Sequence, residues 1–209
     1  MPTLNRPFGL SPFKTLGAHT FNAQVNRYCI PSTDGSAFYI GDAVAQVAGA
    51  DALGVPNVQK SASTTSYRGV IVGVENPTVG GVSIQGTVID DTVTSIPATK
   101  TRAYYVYVVD DPQTLFMIQD DGITTANLVA ASANLNSSLT IAAPSQTFQM
   151  SATVLLSSSF ATTVGLNTKL MGLAQVPILP GNVPNAFGAY AWWVVKANQH
   201  NLMGNQVGI

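Results

Sequence analysis

Three pairs of adjacent aspartates, Asp90-Asp91, Asp110-Asp111 and Asp120-Asp121, are the densest groupings of chemistry-bearing side chains in this sequence. Paired carboxylates can do general acid–base work or hold a hard cation such as calcium. Adjacent residues on a strand point to opposite faces, so one pair rarely makes one site. No Asp-x-Asp-x-Asp-Gly loop is present. Each pair falls at the end of a strand-like run, where Asp bonds its own backbone and shapes a turn. The reading is therefore turn chemistry, with Asp110, Asp111, Asp120 and Asp121 the residues to test for a cation. The two histidines, His19 and His200, stand far apart, and no Gly-x-Ser-x-Gly elbow accompanies them. A nucleophile needs a base held by an acid, and nothing here assembles one. Cys29 is alone, so no intrachain disulfide can form, and without a Cys-His signature it reads as a small buried hydrophobe. One Cys and two distant His cannot make a zinc site. The glycines of Gly69-x-x-x-Gly73 and Gly80-Gly81 match neither a phosphate nor a dinucleotide loop and instead mark bulges or close strand approaches. The sequence thus offers no catalytic, cofactor-binding or metal-binding residue, and the chain reads as a non-enzyme.

Composition narrows the class further. Charged residues make up 9% of the 209 positions, where roughly a quarter is usual. Hydrophobic residues at 46% suffice for a core. A polar but weakly charged surface tolerates being covered, because few charges must be desolvated. Net charge is −1 and no run of Lys or Arg occurs, which argues against a nucleic acid or an anionic membrane as partner. Apolar runs such as Gly69–Val74 are too short to span a bilayer, and the N-terminus shows no apolar signal region, so cytoplasmic synthesis is expected. On that basis the glycan acceptor pattern at Asn136-Ser137-Ser138 carries no weight.

The elements that must position these residues are mostly strands. Candidates are Val25–Ile30, Ala37–Ile40, Ala43–Val47, Tyr67–Glu75, Val82–Ile89, Ala103–Val109, Leu115–Gln119, Phe148–Leu156, Lys169–Gln175 and Ala191–Ala197. Turn signals separate them: Ser32-Thr33-Asp34-Gly35, Asn76-Pro77, Asp110-Asp111-Pro112 and Asp120-Asp121-Gly122. The best hairpin candidate joins Tyr104–Val109 to Leu115–Gln119 across Asp-Asp-Pro-Gln. Thr124 to Leu135 is Ala-rich, starts on a plausible Thr cap and predicts about three helical turns. Ser/Thr/Ala-rich stretches within 132–163 read as surface loops or weak strands. No fixed-period repeat is visible. The fold class is mainly β, an antiparallel barrel or sandwich with at most one or two short helices. Residues 1–24, with Pro2, Pro7 and Pro12, form an extended N-terminal arm ahead of a single β-rich domain at 25–209.

That arm carries Phe8, Phe13 and Phe21. It either straps a neighbour or folds back on its own domain. Trp192-Trp193 poses the same question, since adjacent aromatics on a strand occupy both faces. The pair is a two-sided buried strand, a subunit contact or, least of all, a sugar platform. Candidate partner-contact residues are Arg6, Pro7, Phe8, Phe13, Phe21, Trp192 and Trp193.

The order of several segments is similar to a known family. Asn5-Arg-Pro-Phe-Gly9 leads to Tyr28-Cys-Ile-Pro31 and Asp34-Gly35, then Ile40-Gly-Asp-Ala-Val44 and Gly69–Val74. Tyr105–Pro112 and Phe116–Asp120 follow, and the chain closes on Leu170–Leu173 and Trp193–His200. This order resembles the decoration, or cement, proteins of tailed-bacteriophage capsids over most of the chain except about Ser132–Thr163. The resemblance implies a non-enzymatic, β-rich dimer or trimer on the outer capsid surface. Its partners would be the major capsid protein and copies of itself, and it would clamp neighbouring coat subunits, with the 40–44 and 69–74 segments as barrel strands. Alternatives are another β-rich virion part, such as a tail-tube subunit or glycan-binding module, and less so the major capsid protein, whose common fold needs a long spine helix.

Overall fold

The computed structural model describes residues 4–17, 21–63, 65–75, 93–142, 150–175, 177–179 and 183–203. The expected strand Val82–Ile89, the Asp90-Asp91 pair, His19, Asn76-Pro77 and Gly80-Gly81 lie outside the described residues. In chain order the strands are β1 (Ser11–Thr15), β2 (Asn26–Ile30), β3 (Phe38–Tyr39), β4 (Ala43–Ala50), β5 (Pro56–Lys60), β6 (Gly69–Val74), β7 (Ser95–Ile96), β8 (Tyr104–Val109), β9 (Thr114–Gln119), β10 (Asn136–Ser137), β11 (Leu139–Thr140), β12 (Val154–Leu155), β13 (Thr168–Leu173), β14 (Pro177–Leu179), β15 (Val183–Pro184) and β16 (Trp192–Ala197). The architecture is mainly β, as the sequence pattern requires, and includes a closed barrel.

The barrel runs β2-β5-β4-β6-β8 and closes back on β2. Its neighbours are antiparallel except β2 and β5, which meet in parallel at Cys29 and Asn57. Beside it stands a five-stranded antiparallel sheet, β1-β9-β16-β13-β10. Residues such as Tyr28, Ile71, Val106 and Val108 fill the barrel interior. Val70 and Val109 face the other way, into a second core with Phe116, Ile118, Leu170, Trp193 and Val195 from the sheet. Strands buried on both faces read as unbroken apolar runs rather than alternating ones. That is why Gly69–Val74 shows no period of two. Its glycines serve the packing: a Cβ at Gly69 would lie 2.3 Å from the Val109 carbonyl oxygen, and the ladder shifts register between Ile71 and Gly73.

Several expectations are corrected. β8 and β9 form no hairpin: β8 pairs with β2 and β6 in the barrel, while β9 pairs with β1 and β16 in the sheet. The Asp110-Asp111-Pro112 segment is a turn, with Thr114 N–H on the Asp111 carbonyl at 3.0 Å, but it hands the chain from one sheet to the other. The helix expected over Thr124–Leu135 is instead two single 3₁₀ turns, Thr125–Asn127 and Ala130–Ser132, and Thr124 makes no side-chain cap. Without a cap or a continuous apolar face, a short Ala-rich stretch does not recover the cost of helix nucleation. Of Phe148–Leu156, the described part holds strand only at Val154–Leu155. Five strands were missed: β1, β5 and the short β7, β14 and β15. β5 opens on Pro56, which reads as a breaker, and β1 lies inside the arm and contains Pro12. Both positions suit a strand start or an edge, where proline is tolerated.

The N-terminal segment folds back on its own chain. Leu10 is 2% exposed and donates its N–H to the Gly41 carbonyl at 2.9 Å. Gly9 and Gly41 both have positive φ, +75° and +93°, and a Cβ on Gly41 would lie 2.3 Å from the Phe8 carbonyl oxygen. Only glycine permits that backbone geometry at that separation.

Candidate functional site

The acidic residues are engaged where the chain turns. Asp120 sits fully buried at the end of β9 and accepts Gly122 N–H at 2.8 Å, Tyr190 N–H at 2.8 Å and the Trp193 indole N–H at 3.1 Å. Burial pushes its carboxyl up to about 6 against the pull of these donors. Asp121 accepts Ile123 N–H at 3.2 Å and the Ser157 hydroxyl. Asp111 accepts Gln113 N–H at 2.9 Å. These are the turn bonds expected of Asp at strand ends. Among the described residues no three His, Cys, Asp or Glu side chains stand close enough together to hold a metal ion.

Asp110 belongs to a different cluster. The Tyr28 hydroxyl donates to it at 2.5 Å, the Asn26 amide at 2.9 Å, and the Arg68 guanidinium lies 3.5 Å away. Arg68 also donates to the Tyr28 oxygen at 2.7 Å. Burial and the Asp110 carboxylate push the Tyr28 hydroxyl up to about 12. Asn26, Arg68 and Asp110 of this cluster line an open cavity of about 630 Å³ together with Gln24, Val25, Asp111, Pro112 and Leu202. His200 stands nearby, edge-on to Tyr67 with ring centroids 6.3 Å apart, and its Nδ1 accepts Leu202 N–H at 3.0 Å. Burial, reinforced by Arg68, depresses its imidazole to about 4. It is a neutral packed ring at ordinary pH, with one nitrogen already bonded.

The remaining ion pairs are also internal. Arg27 forks onto Glu75 at 2.6 and 3.0 Å and lies 3.7 Å from the Tyr105 ring centre. Lys60 meets buried Asp42 at 2.9 Å, and Asp42 also accepts the Ser151 hydroxyl at 2.6 Å. Lys100 threads under the 34–36 loop and donates to the Asp34 and Ser36 carbonyls, both at 2.6 Å. Cys29 is 2% exposed and burial raises its thiol, so it is the inert small hydrophobe the sequence suggested.

The aromatic candidates divide between core and surface. Trp193 is fully buried against Phe160 and Phe187. Trp192, on the opposite face of β16, is 3% exposed and stacks on Phe8 with centroids 4.4 Å apart. The pair is thus a two-sided buried strand whose second face is closed by the chain's own N-terminal segment, and neither indole offers a surface to a partner in this conformation. Phe21 packs against the sheet core. Pro7 is half-buried. Arg6 is exposed, its N–H bonded to Gln119 Oε1 at 2.9 Å, and Phe13 is 36% exposed on β1.

Sequence reasoning missed the apolar side chains at loop tips. Val164 is 79% exposed, Ile123 77% and Leu53 57%. Single apolar residues between turn signals carry no period, so nothing marked them. Among the described residues no helix is long and apolar enough to cross a membrane. Compared with known protein families, with curated proteins and with solved structures, the chain matches none of them.

Proposed function

We propose that this chain is a structural virion protein that binds the outer surface of a phage capsid and stabilises contacts between major capsid protein subunits. The observation that carries the reading is the contrast between a sparse, partly self-paired charge set and exposed apolar loop tips. Among the described residues four of the nine cationic side chains pair with a carboxylate, in a sequence with only 9% charge, while Ile123 and Val164 stand more than three-quarters exposed. Such a surface loses little on being covered, because few charges are stripped of water and apolar area is gained. Repetition over a shell then multiplies modest contacts through avidity. The ordered motif resemblance to capsid decoration proteins points the same way. Heads assembled with and without this protein provide the test. Decorated heads are expected to survive higher temperature or lower salt, with density for the barrel on their outer face. Equal stability, or density in the tail or in the shell lattice itself, would overturn the proposal.

A further inference from the structure

We infer that the outer face of the five-stranded sheet is a docking surface for an acidic, apolar-containing polypeptide segment of a partner protein. The ladder register aligns one residue from each strand in a single row: Lys14 opposite Leu115, Leu115 opposite Lys196, Lys196 opposite Lys169, and Lys169 opposite Asn136. Directly paired residues of an antiparallel sheet project to the same face. Three lysines therefore share one edge of one face, over a span of about 14 Å from three strand spacings. None of these five strands contains an Asp or Glu. No carboxylate among the described residues lies within ion-pair distance of the three lysines, whereas Arg27, Lys60, Arg68 and Lys100 all have one.

Two features argue that this row is more than a solvated edge. Lys196 and Lys169 are directly opposed, an arrangement that destabilises a sheet by itself. Beside the row lies a groove of about 400 Å³ whose apolar surface comes from the exposed Leu16 and the half-buried Met171 and Leu173, with Lys14 at its rim and the buried Leu115 and Val194 beneath. An apolar floor flanked by uncompensated cations complements a segment that alternates carboxylates with apolar side chains. A nucleic acid fits less well. Three cations neutralise few phosphates, the chain as a whole carries −1, and the floor offers methionine and aliphatic side chains instead of stacking rings. The inference stands on this face alone and does not depend on the virion assignment.

Fluorescence anisotropy with short labelled probes tests it: a Glu/Leu alternating peptide, its Lys/Leu counterpart, a Glu/Ser peptide and oligodeoxythymidylate. The Glu/Leu peptide is expected to bind the intact chain about tenfold or more tighter than the other three, and to weaken between about 50 and about 300 mM salt. The triple variant K14Q/K169Q/K196Q should lose that preference. Lys169→Glu should abolish Glu/Leu binding while raising the Tm of the free chain by about 1–3 °C, because it turns a repulsive cross-strand pair into an attractive one. This second variant keeps the test open if the triple variant folds poorly. Equal binding of the Glu/Leu and Lys/Leu peptides, undiminished binding by either variant, preference for the oligonucleotide, or no binding of any probe would each overturn the proposal.

Discussion

Two buried titratable groups oppose each other across the acidic range, and removing either should expose the other. Asp120 has a folded pKa raised to about 6, against an unfolded value of about 3.9. Its neutral form is favoured in the fold, so its contribution is most favourable below the unfolded pKa and is lost as pH rises through 6. The magnitude is about 3 kcal/mol, from about 1.4 kcal/mol per pH unit of difference. His200 has a folded pKa depressed to about 4, against about 6.5 unfolded. Its contribution is fully present above 6.5 and is lost as pH falls toward 4, again by about 3 kcal/mol. Between pH 4 and 6.5 the two terms nearly cancel, so together they leave stability almost flat. Asp120→Asn retains the Oδ1 acceptor for Gly122 and Tyr190 and removes one slope. Relative to the parent chain it should lose about 2–3 kcal/mol more on acidification from pH 6.5 to 4. His200→Asn retains an acceptor for Leu202 N–H and should show the reverse, gaining about 2–3 kcal/mol relative to the parent over the same interval. Urea denaturation midpoints at several pH values measure both. Whatever constant cost the substitutions carry, only the pH-dependent difference matters. A difference curve parallel to the baseline for either variant would refute the assignment of buried titration to that residue.

Gly41→Ala should destabilise the chain by about 2–4 kcal/mol, combining a left-handed backbone with a clash against the Phe8 carbonyl. Gly165→Ala, with nothing within 4 Å, should stay within about 0.5 kcal/mol by thermal denaturation. Lys60→Met should cost about 3 kcal/mol by stranding Asp42, which is 1% exposed. Adding Asp42→Asn should recover part of that loss, and purely additive costs in the double variant would contradict the ion-pair account.

Much of the fold was legible because its signals are local. β-branched and aromatic runs such as Tyr104–Val109 and Trp192–Ala197 state their strand character whatever they pair with, and Asp and Gly state the turns. The same locality explains the failures. Ala-rich Thr124–Leu135 has helical composition, yet its backbone closes only separate i→i+3 turns, and the Thr124 N–H goes to the Ser157 hydroxyl at 2.8 Å. Pro12 and Pro56 broke the pattern of strands whose edge or opening positions tolerate proline. The candidate contact residues were chosen as aromatics without cover, but the cover for Trp192 is Phe8, far away in sequence.

By itself the sequence determined the class of structure, the turn role of Asp111, Asp120 and Asp121, and the inert character of Cys29. Each depends on a residue and its near neighbours. Only the tertiary structure decided that β8 and β9 part company at Asp110-Asp111, that Phe8 returns to close the second face of β16, and that Lys14, Lys169 and Lys196 stand in one row. Backbone hydrogen bonding is the same for every strand, so a period of two reports which side chains share a face but not which strand lies alongside. Pairing is settled by the global fit of two cores, and the lysine row exists only once that fit has been made.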